Sequence, residues 1–315
     1  SNYITLQKAG RNFKALCPFH SEKTPSFTVN PERQGWHCFG ACSTGGDAFS
    51  FVMRMERMDF GDTLKQLAQK TGITLQRKHD EDNKDDLYTI NMEASKFYQD
   101  VLASSEGQRA ATYLAERGVN QDTIEAFQLG LSPKIGNQLY DHLRKSGIDT
   151  ERSIEAGVLH KGNDGTVRDF FWGRLMFPIH DYRSRITGFG ARSLDNSDPK
   201  YLNTSATNIF DKRAILYGLH MASDTIRKHD AAVVVEGYMD VITAHQHGYT
   251  NVVASMGTAL TDRQVGQLKR AASNFILALD PDAAGQEATL RSLESSWRVF
   301  ERRQVGKTRR STATL

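Results

Sequence analysis

The last third of the chain alternates short aliphatic runs with segments in which apolar residues recur every three or four positions. Such runs predict buried strands, and the three-to-four spacing predicts amphipathic helices. The expected order is strand, helix, strand, helix, strand and a long final helix, at 231–237, 238–248, 251–255, 261–272, 274–280 and 283–303. Strands rich in aliphatic residues that alternate with helices indicate a parallel sheet covered on both faces. We therefore predict an α/β subdomain over 231–315.

The middle of the chain, from 87 to 230, combines two patterns. Helical spacing runs through Tyr88–Leu102 and Ala110–Arg117, and Gly118 is placed to end the second helix. Farther along, two apolar strands flank a polar turn at Asp181–Arg185, which predicts a hairpin. This part is therefore expected to be a mixed α+β subdomain.

The front of the chain is predicted to be a small β module followed by helices. Apolar and polar residues alternate around SFTVN and GWHCF, which favours short strands, and helical spacing follows from 45 to 72. The segment 77–86 has no aliphatic or aromatic side chain and is expected to be a linker. The predicted parts of this α+β multidomain chain are therefore 1–76, the linker 77–86, 87–230 and 231–315.

Composition is typical of a globular protein with more than one domain. The chain has 315 residues, of which 39% are hydrophobic and 24% charged. No apolar run approaches the roughly 20 residues of a membrane span, and the N-terminus lacks a basic-then-apolar signal, so we expect a cytoplasmic protein. The net charge of +3 is too small to indicate a nucleic-acid partner by itself. The basic stretch RVFERRQVGKTRR is either a solvated tail or a contact for an anionic partner.

All three cysteines lie in a short stretch that also contains histidine. Cys17 and His20 form a C-x2-H pair, and Cys38 and Cys42 form a C-x3-C pair. Zinc takes four thiolate or imidazole ligands, offered as two close pairs, so the stretch predicts one structural Zn²⁺ in a zinc-ribbon-like module. Three buried cysteines beside a surface histidine are the alternative. His37 is a rival ligand, but adjacent residues of a strand point to opposite faces, which disfavours it beside Cys38.

Basic and aromatic residues interleave around the predicted zinc site. Phe27 and Trp36 alternate with Lys14, Lys23 and Arg33, a mixture found in proteins that bind single strands. Core aromatic residues with solvated basic neighbours have the same pattern, so both interpretations stay open.

Three carboxylates follow predicted strands of the last subdomain. Glu236 ends the first strand, Asp280 ends the third, and Asp282 comes two residues later. The carboxyl ends of parallel strands meet at one edge of a sheet, where ligands bind, and three acids there suit a divalent cation such as Mg²⁺. The alternative is that they cap the helices that follow. Asp240 lies one turn past Glu236 and either supports this site or is an ordinary surface charge.

Motifs in all three parts of the chain resemble those of one protein family. The front stretch CPFHSEKTPSF…CFGACSTGGD is similar to the zinc-binding domain of that family. YLAERGV, FWGRLMFPI, ITGFGAR, DPKYLN and IFDKRAILYGL resemble its RNA polymerase core, and EGYMD, SMGTALT and ALDPDAAG resemble its Toprim domain. The family that these motifs resemble is that of the DnaG-type bacterial primases, and the resemblance covers nearly the whole chain in the family's order. It implies synthesis of short RNA primers on a single-stranded DNA template.

The resemblance also implies roles for individual acids and a cofactor. Glu236, Asp280 and Asp282 would bind a catalytic divalent ion, Mg²⁺ or Mn²⁺. Asp240 would be a supporting acid. The front module would hold its structural zinc and read the template.

Basic residues in the matching motifs are implied to bind phosphates of the template or of ribonucleoside triphosphates. They are Arg117, Arg192, Lys200 and Lys212. Arginine suits bidentate phosphate contacts, whereas lysine acts as a point charge. Tyr201 and Asn203 would stack on or hydrogen-bond to a base, although a structural role fits them equally.

The sequence also departs from the family pattern. The second ligand pair is separated by three residues, where the family most often has two, and GFGAR stands where the family has GFGGR. The resemblance predicts a further D-P-D acid pair and a helicase-binding domain after Leu315, and a helical lead-in before Ser1. We therefore expect a fragment truncated at both ends, a monomer that would meet the replicative helicase through the absent domain.

Two other functions stand beside primer synthesis. A zinc-dependent protein that binds single-stranded DNA without catalysis would explain the front module and the missing acid pair. A Toprim topoisomerase would share the acids, but no tyrosine motif for it is recognisable in the sequence.

Overall fold

The computed structural model describes residues 3–56, 58, 60–73, 79–195, 197–257 and 259–279. The chain separates into two compact units, 1–78 and 79–315. The predicted metal ligands Asp280 and Asp282, and the helix predicted over 283–303, lie outside the described residues. None of the described helices is both long and apolar enough to cross a bilayer.

The first unit is an antiparallel meander followed by two helices. Consecutive strands are neighbours in the sheet, in the order β1-β2-β3-β4-β5. The strands are β1 Gln7–Ala9, β2 Asn12–Ala15, β3 Phe27–Asn30, β4 Gly35–Cys38 and β5 Gly45–Gly46. The helices are α1 Ala48–Glu56 and α2 Phe60–Thr71. The predicted small β module is thus confirmed.

Aromatic rings fill the core between this sheet and α1. Phe27 pairs with Cys38 across β3 and β4, and their side chains share the core face of the sheet. The rings of Phe27 and Trp36 stack with centroids 5.1 Å apart, and Phe51 of α1 packs against both. Phe27 is 1% and Trp36 7% exposed. The core interpretation of these two aromatics is therefore correct, and neither ring is available to stack on a base.

The second unit begins with helices around an antiparallel sheet. The helices are α3 His79–Ala103, α4 Gln108–Glu116, α5 Gln121–Ala126, α6 Gln138–Lys145 and α7 Thr150–Glu155. The strands are β6 Gly130–Leu131, β7 Leu159–Lys161, β8 Val167–Asp169, β9 Arg174–His180, β10 Ile186–Ser193 and β11 Tyr201–Asn203. The main sheet has the order β11-β10-β9-β6, and β7 pairs with β8 separately.

Helix α3 begins inside the predicted linker. The sequence predicts a linker at 77–86, whereas the helix starts at His79. Among its described side chains, those of residues 84–86 are exposed and Leu87 is the first that is buried. The helix therefore extends N-terminally past its first buried described side chain. The domain boundaries themselves stay a prediction.

Strands β9 and β10 form the hairpin that the sequence predicts. Its turn is closed by Asp181, whose Oδ1 accepts hydrogen bonds from the backbone N–H groups of Arg183 and Arg185 at 2.8 and 3.0 Å. Every residue of β9 is buried, so both faces of this strand are covered.

Strand–helix alternation follows helix α8, Leu219–His229. Its elements are β12 Ala231–Val235, α9 Tyr238–Gln246, β13 Val252–Ala254, α10 Asp262–Ala271 and β14 Asn274–Leu277. Over the described residues the sheet has the order β13-β12-β14, and both strand pairs are parallel. The predicted α/β subdomain is confirmed as far as β14.

The parallel and antiparallel parts of the second unit share a core. Tyr238, Val241 and Ile242 of α9 belong to the same buried cluster as Leu175 and Phe177 of β9. Helix α9 therefore lies between the two sheets, and the turn after β12 is held against the antiparallel sheet.

Candidate functional site

Four side chains of the first unit converge on one point. Cys17 and His20 follow β2, Cys38 ends β4, and Cys42 lies in the loop before β5. Their ligand atoms all lie within 4.8 Å of one another. The Cys17 and Cys42 sulfurs are 3.6 Å apart, and the Cys38 sulfur is 3.9 Å from His20 Nδ1. Sulfur ligands of a tetrahedral zinc lie about 3.8 Å apart, given Zn–S bonds of about 2.3 Å, so the four residues fit this ion.

Burial and hydrogen bonds set the protonation of the cysteines. Burial raises the pKa of the Cys17 thiol to about 12. Burial also acts on Cys38, but the hydrogen-bond contacts of its sulfur outweigh burial and lower the pKa of this thiol to about 7. The Gly40 N–H donates to Cys38 Sγ at 3.3 Å. Zinc binds thiolates, so loading this site would release protons.

His37 lies on the face of the sheet opposite to the aromatic core. It pairs with Thr28, which in turn pairs with Lys14, so these three side chains share one face. His37 is exposed and outside the ligand group, as strand alternation predicts. Phe39 is 74% exposed, and its ring packs on that of His37 with centroids 4.5 Å apart. We refer to Lys14, Thr28, His37 and Phe39 as the open face.

Sequence reasoning missed Phe39. The signal was present, because the alternation that buries Cys38 turns residues on either side of it outward. Exposed aromatic rings beside basic groups are the surfaces on which single-stranded bases stack. The open face therefore combines exposed aromatic and basic side chains, which is the combination that the sequence analysis considered around Phe27 and Trp36.

The first predicted metal-binding acid lies at the carboxyl end of the central parallel strand. Glu236 follows β12 directly, and α9 begins two residues later. The strands β13 and β14 end at the same edge, because both run parallel to β12. The N–H of Gly257, in the loop after β13, donates to the Glu236 carbonyl at 3.2 Å. This hydrogen bond joins the turn that carries Glu236 to the loop after β13.

Asp240 has a capping contact. Its Oδ2 accepts a hydrogen bond from the Gly237 N–H at 3.0 Å, at the start of α9. For Asp240 sequence reasoning weighed a supporting role against an ordinary surface charge, and did not consider capping. Its carboxylate holds the turn that carries Glu236.

Tyr238 joins the acid-bearing turn to the antiparallel sheet. Its ring stacks on Phe177 with centroids 4.8 Å apart and planes 7° apart, and its hydroxyl donates to Asn203 Oδ1 on β11. Gly190 of β10 leaves room for the ring, since a Cβ there would lie 2.2 Å from Tyr238 Cζ. Sequence reasoning missed Tyr238. The Asn203 amide, predicted to contact a base or serve the fold, has this structural partner.

Two predicted phosphate-binding residues, Arg117 and Arg192, make cation–π contacts with tyrosine rings. The guanidinium of Arg192 lies 5.1 Å from the ring centroids of both Tyr113 and Tyr201, and it donates to the Tyr201 hydroxyl. Arg117, just after α4, lies 5.5 Å from the Tyr113 ring. Among the described residues Arg192 Nε has no hydrogen-bond partner. We refer to these four residues as the arginine–tyrosine cluster, in which π contacts hold cations that can still donate to an anion.

The two predicted lysines lie in different surroundings. Lys200 is exposed and directly precedes Tyr201, so it adjoins the arginine–tyrosine cluster along the chain. Lys212 is partly buried, and burial lowers its pKa. The Lys212 carbonyl accepts a hydrogen bond from the Gln264 side chain of α10 at 3.2 Å.

Comparisons with known proteins cover all three parts of the chain. The CHC2 zinc finger model matches residues 1–83, the model of the DNA primase catalytic core, N-terminal domain, matches 97–223, and the Toprim domain model matches 230–309. The DNA primase of Deinococcus radiodurans is 45% identical over 295 residues, which are 93% of this chain and 51% of that protein.

A solved structure decides the family. The crystal structure of the zinc binding and RNA polymerase domains of Aquifex aeolicus primase is similar at 32% identity and a TM-score of 0.62, over 94% of this chain and 73% of that one. The chain belongs to the DnaG-type DNA primase family. A DnaG primase catalytic domain bound to single-stranded DNA is also similar, at 36% identity and a TM-score of 0.63, over 69% of this chain and 68% of that one.

Within the DnaG-type primase family, the chain spans about half the length of the curated relatives it matches, 51% and 47% for two of them. The zinc finger and primase core models match in addition to the Toprim model. The topoisomerase alternative is therefore not favoured.

Proposed function

We propose that the protein is a DNA-directed RNA polymerase that synthesises short RNA primers on single-stranded DNA during replication. One observation carries the proposal. Tyr238 packs the acid-bearing turn after β12 against the sheet whose strands β10 and β11 bear Arg192 and Tyr201. An acid suited to a divalent cation and cations suited to phosphates thus belong to one packed unit.

Glu236, Asp280 and Asp282 hold the divalent cation, Mg²⁺ or Mn²⁺, in this proposal. Glu236 is partly exposed at the sheet edge, and its hard oxygen ligands fit a cation that keeps water and binds nucleotide phosphates. When bound, such ions stabilise the attacking and leaving oxygens of a phosphoryl transfer. Asp240 contributes by holding the Gly237 N–H, and with it the turn that aims Glu236.

The basic residues bind the phosphates of template and ribonucleoside triphosphates. Arg117 and Arg192 present guanidinium N–H groups from the arginine–tyrosine cluster, and Tyr201 orients Arg192. Lys200 and Lys212 add point charges. Asn203 acts through the Tyr238 hydroxyl.

The first unit reads the template. The zinc, held by Cys17, His20, Cys38 and Cys42, is structural because four protein ligands leave no position for a reacting group. The open face offers a ring for base stacking and Lys14 for the backbone. The replicative helicase partner, the monomeric state and the bacterial cytoplasm stay predictions.

Primer synthesis tests the proposal directly. The 315-residue chain is incubated with a single-stranded template, ribonucleoside triphosphates and Mg²⁺, and short RNA products are resolved by electrophoresis. Glu236→Gln should lower the rate about 100-fold or more, since a metal ligand contributes several kcal/mol to such a reaction. Glu125→Gln, at an exposed acid of α5, is the matched control and should keep the rate.

Two outcomes would count against the proposal. An unchanged rate in Glu236→Gln would refute the role of this acid. DNA binding without any synthesis, both by this chain and by a chain extended to the predicted D-P-D acid pair, would favour the alternative, a zinc-dependent protein that binds single-stranded DNA without catalysis.

A further inference from the structure

One carboxylate in the first unit contacts several parts of the zinc site without belonging to the ligand group. Glu22 Oε1 accepts hydrogen bonds from the backbone N–H of Cys17 at 2.6 Å and of Ser26 at 3.2 Å. Its Oε2 lies 3.1 Å from His20 Nε2 and 2.6 Å from the Ser26 hydroxyl. Each oxygen therefore has two partners, and the side chain is 12% exposed.

The contact with His20 fixes which imidazole nitrogen carries the proton. An ionised carboxylate accepts hydrogen bonds and cannot donate them, so His20 Nε2 must hold the hydrogen. In a neutral imidazole the other nitrogen, Nδ1, then carries the lone pair. Nδ1 is the atom that lies 3.9 Å from the Cys38 sulfur, toward the centre of the ligand group.

Ser26 links Glu22 to a third ligand, Cys38. The Ser26 hydroxyl is 3.3 Å from Cys38 Sγ and 2.6 Å from Glu22 Oε2, and its single proton goes to the nearer, charged acceptor. Gly40 is required beside this arrangement, because a Cβ there would lie 2.5 Å from Ser26 Oγ and 2.9 Å from both Glu22 Oε2 and His20 Nε2. The His20 ligand, the Glu22 carboxylate and the loop at Gly40 are thus in close contact.

We propose that Glu22 is a positioning residue for the zinc, which fixes His20 in the tautomer that ligates through Nδ1 and holds the backbone of Cys17 in place. Carboxylates that accept from a metal-ligating histidine typically contribute 10–100-fold to metal affinity. The inference rests on zinc binding at this site and is independent of primer synthesis.

The first test measures the tautomer in the unaltered, zinc-loaded chain. Long-range ¹H–¹⁵N spectra of histidine side chains distinguish a protonated Nε2 from a protonated Nδ1. His20 should show a protonated Nε2 and a metal-bound Nδ1. A protonated Nδ1 with zinc on Nε2 would overturn the proposal, whatever any variant does.

The second test compares zinc affinity among variants by competition with a chromophoric chelator. Glu22→Gln keeps the size of the side chain but turns one oxygen into an N–H donor, which opposes the His20 Nε2 proton. We expect zinc affinity to fall 10–100-fold. Glu32→Gln changes an exposed acid of the same unit and is the matched control, with unchanged affinity.

A third variant covers the case in which Glu22→Gln does not fold. Ser26→Ala removes one donor to Glu22 and leaves the carboxylate facing His20, so zinc affinity should fall less than in Glu22→Gln and the His20 tautomer should persist.

Equal zinc affinity of Glu22→Gln and the unaltered chain would refute the proposal.

Discussion

The two units of the chain are stabilised by different means. Two of the five residues in the buried cluster of the first unit, Cys17 and Cys38, are also metal-site cysteines. The described part of the second unit has three larger clusters of aliphatic and aromatic side chains. Units below about 80 residues rarely bury enough apolar surface to be stable alone and often use a metal instead. We therefore expect removal of the metal to unfold the first unit alone. Changes to the core packing of the second unit should destabilise the second unit alone.

Removal of zinc should give the largest effect, and in the first unit alone. Apparent zinc binding in small metal modules reaches about 10–16 kcal/mol, which exceeds the about 5–15 kcal/mol of a typical folded domain. A chelator, or Cys38→Ser, should unfold residues 1–78. Limited proteolysis with mass spectrometry measures where the chain becomes cleavable.

Two variants control this experiment. Cys42→Ser should lower the zinc content, whereas His37→Ala should keep it, because His37 faces away from the ligand group. New cleavage sites spread equally over both units would contradict the separation between them.

Overpacking the contact between β10 and α9 should affect the second unit. In Gly190→Ala the new methyl group meets the Tyr238 ring, and such overpacking costs typically about 1–3 kcal/mol. Gly266→Ala is the control, because nothing lies within 4 Å of a Cβ at this position in α10 and alanine stabilises a helix by about 1 kcal/mol. Urea unfolding should give a lower free energy of unfolding for Gly190→Ala and a higher one for Gly266→Ala than for the unaltered chain. Destabilisation of the zinc unit by Gly190→Ala would contradict the comparison.

Phe39→Ala should weaken single-strand binding without unfolding the first unit. Stacking of one base on an aromatic ring contributes about 1–3 kcal/mol, so affinity for single-stranded DNA should fall about tenfold. Fluorescence anisotropy measures it. Tyr249→Ala removes a similarly exposed ring, 68% against 74%, from the second unit and should leave affinity unchanged. A loss of zinc in Phe39→Ala would show that the ring serves the fold.

Acid should destabilise the second unit through two stacked histidines. The rings of His180 and His220 lie 4.1 Å apart, and burial lowers their pKa to about 4 and about 3. Between these values and about 6.5 the unfolded chain binds protons that the folded chain does not, so stability is full above pH 6.5 and falls as the pH drops. At pH 5.5 the loss should be about 1 kcal/mol for each histidine.

Urea midpoints of the second unit between pH 8 and 5.5 measure this slope. His220→Gln should make the dependence shallower, whereas His229→Gln, at an exposed position of the same helix α8, should not change it. An unchanged slope in His220→Gln would assign the acid sensitivity elsewhere.

Patterns local in the sequence predicted much of the fold and the zinc ligand group, whereas the roles of the other site residues stay predictions. The C-x2-H and C-x3-C pairs predicted the ligand group, since a metal imposes spacing on its ligands. The polar turn before Ile186 predicted the hairpin, and strand–helix alternation predicted the parallel sheet as far as β14. In each case the pattern that indicates the structural feature lies within the segment that forms it.

Contacts between distant residues could not be predicted in the same way. Asn203 and Tyr238 are 35 positions apart, and no periodicity links them. Glu22 shows the same limit at short range, because its role depends on how a turn brings His20 Nε2 to its carboxylate. Helical spacing was predicted only from Tyr88, whereas α3 begins at His79, inside the predicted linker. The polar sequence before Leu87 has no apolar periodicity that could indicate a helix.

The loop between Cys38 and Gly45 bears on how such proteins can change over evolutionary time. Its two ends are joined by a 2.7 Å bond from the Cys38 N–H to the Thr44 carbonyl, and the pairing of Trp36 with Gly46 continues beyond it. Residues added between the last two cysteines are therefore confined to the loop and do not shift the register of the sheet. Loop length at this position is free to drift between lineages, and libraries that vary it could alter the nucleic-acid contacts of Phe39 without redesigning the metal site.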